Sequence, residues 1–179
     1  MKFDILTLFP EMFEPLKQSI IGRAIEKNLI KINLINIRDF SRDKHKKVDD
    51  TPFGGGAGMV MKADVVYLAY KSVEDSNAKV IYMSPKGKKL NQKKVQELSN
   101  EEHLIILCGH YEGIDQRVID KIVDEEISIR RLCFNWRGAS SSSINRQCFK
   151  IYRGSFVQRV YSIRIIFKWT FRISTIYKT

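Results

Sequence analysis

All 20 acidic residues of this 179-residue chain lie before position 130. Residues 130–179 carry 11 Lys/Arg and no carboxylate, which accounts for the whole net charge of +11. Both tryptophans and two of the three cysteines, Cys133 and Cys148, also fall in that stretch. A cytoplasmic domain that buries a core ordinarily mixes both signs of charge on its surface. Residues 1–129 do so, and residues 130–179 do not. The two parts are therefore read separately, with 1–129 as an α/β domain and 130–179 as a tail foreign to it.

The length suits one domain, or one domain and part of another. A pI near 9.6 would by itself suggest nucleic acid, but here the excess charge comes entirely from the tail. Cys108 follows the apolar run Leu104-Ile105-Ile106-Leu107 and reads as a core thiol. No Cys/His spacing resembles a zinc site or a disulfide framework. No segment reads as a leader or is apolar enough to span a bilayer, so a reducing cytoplasm is expected.

Periodicity predicts strands at Lys2–Phe9, Lys31–Arg38, Lys79–Met83, Leu104–Cys108 and Glu126–Ile129. Helices are expected over Glu11–Lys27, Lys62–Glu74, Asn91–Asn100 and Asp115–Ile122, with Asn91 and Asp115 as N-caps. The segment from Asp39 to Met59 reads as a long polar loop. Strands alternating with helices imply a mostly parallel α/β sheet, with Leu104–Cys108 at its centre. Ligands of such sheets bind at the carboxyl ends of strands, so the segments after Met83, Cys108 and Ile129 are the candidate site.

Three segments could carry chemistry. Val48–Met59 joins Asp49 and Asp50 to four glycines. It is neither a P-loop nor a dinucleotide fingerprint, and a floppy turn and a binding loop remain equally open. Tyr82-Met83-Ser84-Pro85-Lys86-Gly87 and Cys108–Asp115 follow two successive strands and could together form a crevice for an adenosine-like ligand. The basic clusters Arg42–Lys47 and Lys86, Lys88, Lys89, Lys93 and Lys94 are either solvated surface or phosphate contacts.

The segments LFPEMF, VDDTPFGGGAGM, YMSPKG, CGHYEGIDQRV and DEEISI, in that order, resemble the bacterial tRNA (guanine-N(1)-)-methyltransferases across residues 1–129. Ala57 stands where many members have proline. The resemblance implies a trefoil-knotted α/β domain, S-adenosyl-L-methionine as cofactor, magnesium assistance, a homodimer, and methylation of the guanosine 3′ of the anticodon of tRNA. It also implies that Tyr82, Met83, Ser84, Pro85, Gly87, Gly109, Tyr111, Glu112, Gly113, Ser128 and Ile129 hold the cofactor. Glu112 would face the target guanine, while Asp50, Gly54, Gly55, Gly56, Gly58 and Met59 would meet the tRNA. No residue is expected to ligate a metal directly.

In the family DEEISI is followed by a segment such as GDYVLTGGELA, whereas this chain reads RRLCFNWRGAS. Taking two bases of each codon and the first base of the next turns permitted codons for Arg130–Ser140 into GDYVLTGGELA. The same shift reads residues 144–156 as LIDSVSRFIEGVL and residues 164–179 as ESFSNGLLEYPQYTRP. The tail is thus expected to be a frameshifted reading, disordered, with the knot unformed and the family's C-terminal tRNA-binding domain absent. The acidic residue of the ESF segment, the expected general base, is replaced at Arg164-Ile165-Ile166. Activity of the chain as written is therefore expected to be negligible. The alternative reading is a non-enzymatic RNA-binding or regulatory protein with a basic tail.

Overall fold

The computed structural model describes residues 1–18, 20–55 and 58–128. Its centre is a five-stranded sheet in the order β2-β1-β6-β5-β7. The strands are β1 (Lys2–Thr7), β2 (Lys31–Asn36), β5 (Ala78–Lys89), β6 (His103–Leu107) and β7 (Glu125–Ser128). Every neighbouring pair is parallel, so the sheet is α/β as expected. β6 is fully buried along its length and occupies the middle position.

Alternate side chains of each strand point to opposite faces, and both faces are covered. On one, Phe3, Ile5, Ile81, Met83, Leu104, Ile106 and Ile127 pack with Phe13 and Leu16, with Ile21 and Ala24 of α1 (Ile20–Glu26), and with Leu98 of α3 (Gln92–Ser99). On the other, Leu6, Val80, Tyr82, Ile105 and Leu107 pack against α2 (Ala63–Lys71) through Val65, Val66 and Ala69. α4 (Gln116–Ile122) covers the same face with Val118, Ile119 and Ile122.

Asn91 caps α3, its side-chain oxygen accepting from the Lys94 amide at 2.9 Å. Asp115 caps α4 in the same way, accepting from the Arg117 amide at 3.0 Å. The single helix expected over Glu11–Lys27 is instead a 3-10 turn, Pro10–Gln18, followed by α1. Pro15 has no amide hydrogen to donate, and its ring obstructs the preceding turn, which disfavours a continuous α-helix there. The expected long loop is also shorter. Ile37–Phe40 forms a 3-10 turn, and Asp49–Asp50 (β3) pairs antiparallel with Val60–Met61 (β4).

One charged cluster lies inside this apolar frame. His103 is bracketed by two carboxylates, Nε2 to Asp4 Oδ2 at 2.8 Å and Nδ1 to Asp75 Oδ2 at 3.0 Å. Lys2 closes on the same Asp4 oxygen at 2.9 Å. Asp4 is fully buried, and a buried polar group is costly without hydrogen-bond partners such as these. The cluster ties the first residues of β1 to the start of β6 and to the turn before β5. The Asp75 carboxyl is held below its ordinary range by the Asn77 amide and then by His103.

The expectations of a disordered tail and an open knot concern residues 129–179, outside the described residues. No helix of the described residues is long and apolar enough to cross a membrane.

Candidate functional site

Parallel pairing brings the carboxyl ends of β5, β6 and β7 to one edge. The chain leaves β6 at Cys108, whose amide donates to Leu6 O at 2.9 Å, and turns through Gly109–Ile114 into α4. Tyr111 adopts a left-handed conformation with φ 57°. That costs a non-glycine residue of order 1–2 kcal/mol and persists only when surrounding contacts hold it. Here the ring meets His110 edge-on at 4.8 Å between centroids, and His110 in turn packs on Phe9. Tyr111 and Glu112 consequently stand exposed on the rim of the edge.

The glycine-rich segment docks on this loop. The Glu112 amide donates to Met59 O at 3.0 Å, the Met61 amide to Gly113 O at 3.0 Å, and the Asp115 amide to Met61 O at 3.2 Å. Residues 59–61 thus run beside 112–115 like a short added strand, with Met61 and Ile114 in a parallel bridge. Gly58 has φ +107°, and a Cβ there would lie 2.3 Å from Glu112 Cγ. Only glycine lets the loop pass this close to the Glu112 side chain. The stem of this loop is anchored and is not a floppy turn. Among the described residues, nothing beyond the chain neighbours lies within 4 Å of a Cβ placed at Gly54 or Gly55.

The second loop is an excursion within β5. Met83 and Lys88 both register with Ile127 of β7, so residues 84–87 bulge out between them. Gly87 closes the base of that bulge, since a Cβ there would lie 2.5–2.6 Å from backbone atoms of Glu126 and Ile127. The buried Ser84 hydroxyl accepts from the Lys86 amide at 3.2 Å, and Pro85 is exposed at the top. The Leu90 amide then donates to Ser128 O at 2.7 Å, fixing the end of β7.

Tyr82 is buried on the face shared with Ile114, and its ring lies directly under Gly109. A Cβ at Gly109 would lie 2.9 Å from the Tyr82 hydroxyl, whereas one at Gly113 would lie 3.8 Å from it. Tyr82 thus supports the Gly109–Gly113 turn from below, and the Gly113 backbone is tied by its amide to His110 O at 3.2 Å and by its carbonyl to the Met61 amide. Met83, Ser84, Gly87, Gly109, Tyr111, Glu112, Gly113 and Ser128 all belong to this edge. Gly58 and Met59 join them through Glu112. Asp50 sits on the stem, accepting from the Thr51 amide at 2.9 Å and exposed. Gly56, Ala57 and Ile129 lie outside the described residues.

Sequence reasoning missed Met61 and Asp124. Met61 is fully buried and accepts from the His110 amide through Sδ at 3.2 Å. Asp124 accepts from the Val80 amide at 2.7 Å, while its own amide donates to Val80 O at 3.0 Å. Met61 lies beside the glycine-rich loop, whereas Asp124 lies at the amino ends of β5 and β7, and nothing in the sequence marks either residue.

Asp115 joins the site to α4. The Arg117 guanidinium reaches it from Nε at 3.0 Å and from a terminal nitrogen at 2.7 Å. That contact, with the Arg117 amide, holds the Asp115 carboxyl below its ordinary range. Its stabilisation is therefore present above the unfolded value of about 4 and is lost as pH falls through the lower folded value. Asp115→Ala is expected to cost about 1 kcal/mol, while Asp115→Asn, which keeps an acceptor, costs less. Denaturant unfolding of both variants at neutral and acid pH checks this, and the gap between wild type and Asp115→Ala should narrow in acid.

The architecture defines a parallel α/β domain in which the loops after β5 and β6 meet the end of β7 at the carboxyl edge, where sheets of this kind bind ligands. A profile of the family described as tRNA (Guanine-1)-methyltransferase TrmD matches residues 1–134, and the chain belongs to that family. A tRNA (guanine-N(1)-)-methyltransferase of Ruminiclostridium cellulolyticum is 61% identical over 133 residues, 72% of this chain and 57% of the relative. One from Carboxydothermus hydrogenoformans is 60% identical over 130 residues, 72% of this chain and 51% of the relative. One from Clostridium botulinum strain Langeland is 59% identical over 130 residues, 72% of this chain and 54% of the relative. The chain thus spans about half the length of the curated relatives it matches.

Proposed function

We propose that the gene encodes a tRNA methyltransferase that moves the methyl group of S-adenosylmethionine to N1 of the guanosine 3′ of the anticodon. The observation that carries this reading is the convergence of the β5 excursion and the Gly109–Gly113 turn beside Glu112, in a chain of this family. The residues fit the cofactor. Main-chain groups of 83–87 and 109–113, together with Tyr111 and Ser128, would hold it, and the lack of a side chain at Gly113 leaves room for a flat group. When bound, S-adenosylmethionine supplies an electrophilic methyl carbon on a sulfonium.

Glu112 stands exposed at the mouth of that cup and would orient the guanine by accepting from its N–H edge. On accepting the methyl group that the cofactor would supply, N1 would have to give up its proton to a base. A positioned carboxylate does this effectively. That base is expected from the segment that reads Arg164-Ile165-Ile166 in this chain.

Among the described residues no group of three or more His, Cys, Asp or Glu is arranged to hold a metal ion, and no step is assigned to magnesium. tRNA as substrate, a homodimeric assembly and cytoplasmic residence belong to the same proposal and rest on the family. The frameshift reading is supported by where the likeness stops: the curated relatives align over 130–133 residues and the family match ends at 134. The acidic residues stop just before that point. A non-enzymatic RNA-binding protein would rest on residues 130–179 alone, and nothing in the described residues favours it.

The test is tritium transfer from S-adenosylmethionine by a frame-restored chain to tRNA carrying G beside the anticodon, against the same tRNA carrying A. Label confined to the G substrate supports the proposal. Equal labelling, or none, rejects it.

A further inference from the structure

We infer that Phe53 is a base-stacking residue, an aromatic platform for an unpaired RNA base flanking the one presented at Glu112. This rests on the proposed RNA substrate and adds to it a residue that positions the strand. Phe53 is fully exposed, and the other large apolar residues exposed among those described, Leu29 and Tyr111, are less than half exposed. It occupies the second position of a tight turn closed by the Gly55 amide on Pro52 O at 3.0 Å. Gly54 and Gly55 beside it have open space on every side that a Cβ would reach. Packing within the described protein therefore gives no reason for an aromatic ring at this point.

The ring is nevertheless not carried on a loose tether. Val48 is fully buried at the base of the stem, the Lys62 amide donates to Val48 O at 2.9 Å, and Asp50 pairs with Val60. Phe53 lies three residues beyond Asp50, so it reaches at most about 10 Å from that stem. The returning arm of the same loop holds Glu112 through Met59 and Gly58. A solvent-facing ring within reach of an anchored stem, in a loop whose other arm meets Glu112, suits splayed single-stranded RNA, whose unstacked bases are received on aromatic faces. The arm leading into the stem adds exposed Arg42, Lys44 and Lys47, which match a phosphate backbone.

The experiment titrates the frame-restored chain, as wild type, Phe53→Ala and Phe53→Trp, into an anticodon stem-loop RNA with 2-aminopurine at each loop position in turn. Wild type should quench one flanking 2-aminopurine. Phe53→Ala should lose that quench and bind between about 5- and 100-fold more weakly, and Phe53→Trp should restore both. Binding and quenching unchanged in Phe53→Ala would overturn the stacking role while leaving the RNA substrate intact. No hairpin binding by wild type would overturn both. A change of oligomeric state in Phe53→Ala, read by sedimentation, would also overturn it by assigning the ring to a contact between copies.

Discussion

Restoring the reading frame at codon 130 is expected to raise methyl transfer to tRNA by at least about 10²-fold over the chain as written, the range a positioned general base supplies. The larger part of that gain should come from regaining the carboxylate now replaced at Arg164-Ile165-Ile166. The rest should come from a GDYVLTGGELA segment following β7, where Ser128 already ends the strand against Leu90. Side-by-side tritium assays of the two chains at equal concentration check this. In the frame-restored chain, replacing the recovered acidic residue of the ESF segment should return activity toward the level of the chain as written. Equal turnover of the two original chains would show that residues 130–179 serve the reaction in their present form.

Gly87→Ala is expected to be the most damaging single substitution at the site. The added methyl would lie 2.5–2.6 Å from the Glu126 carbonyl and the Ile127 amide nitrogen. Those atoms belong to a strand backbone, which cannot swing aside like the end of a side chain. Either β7 separates from β5 beyond Met83, or the bulge at 84–87 is pushed outward. Overpacking of buried positions costs about 1–3 kcal/mol and occasionally more, and a backbone clash belongs at the upper end. Thermal unfolding should show a lowered midpoint, and S-adenosylmethionine should no longer raise it. Gly54→Ala, with open space around the new methyl, serves as the control and should leave the midpoint unchanged.

Much of the fold is legible in the sequence because its strands are either continuously apolar or regularly alternating. Leu104–Leu107 reads as a central strand and is one, with both faces covered. Asn91 and Asp115 read as caps because a short polar side chain before a periodic run has few other roles. The helix expected near Pro15 is too long, since apolar spacing alone does not separate a 3-10 turn from α-helix. The strand expected to end at Met83 is too short because Ser-Pro-Lys-Gly looks like a strand end. Only the resumed pairing of Lys88 and Lys89 with β7 shows that it is a bulge. For the site, Glu112 and the two loops could be located from their place after strands. Gly58's closeness to Glu112 and Met61's support of the turn could not, because both depend on how a distant hairpin docks.

The position of β6 also sets an order of events. β1 and β5 both pair with it and not with each other, so neither finds its inner partner until residues 103–107 are available. Two strands about seventy residues apart must be brought together around a third that comes later than both, and such distant pairings slow folding. During that interval the edges of β1 and β5 are open to pairing with other chains. The late arrival of one five-residue strand therefore governs how long this protein is vulnerable to aggregation, and weakening β6 should lengthen that period before it affects any bound ligand.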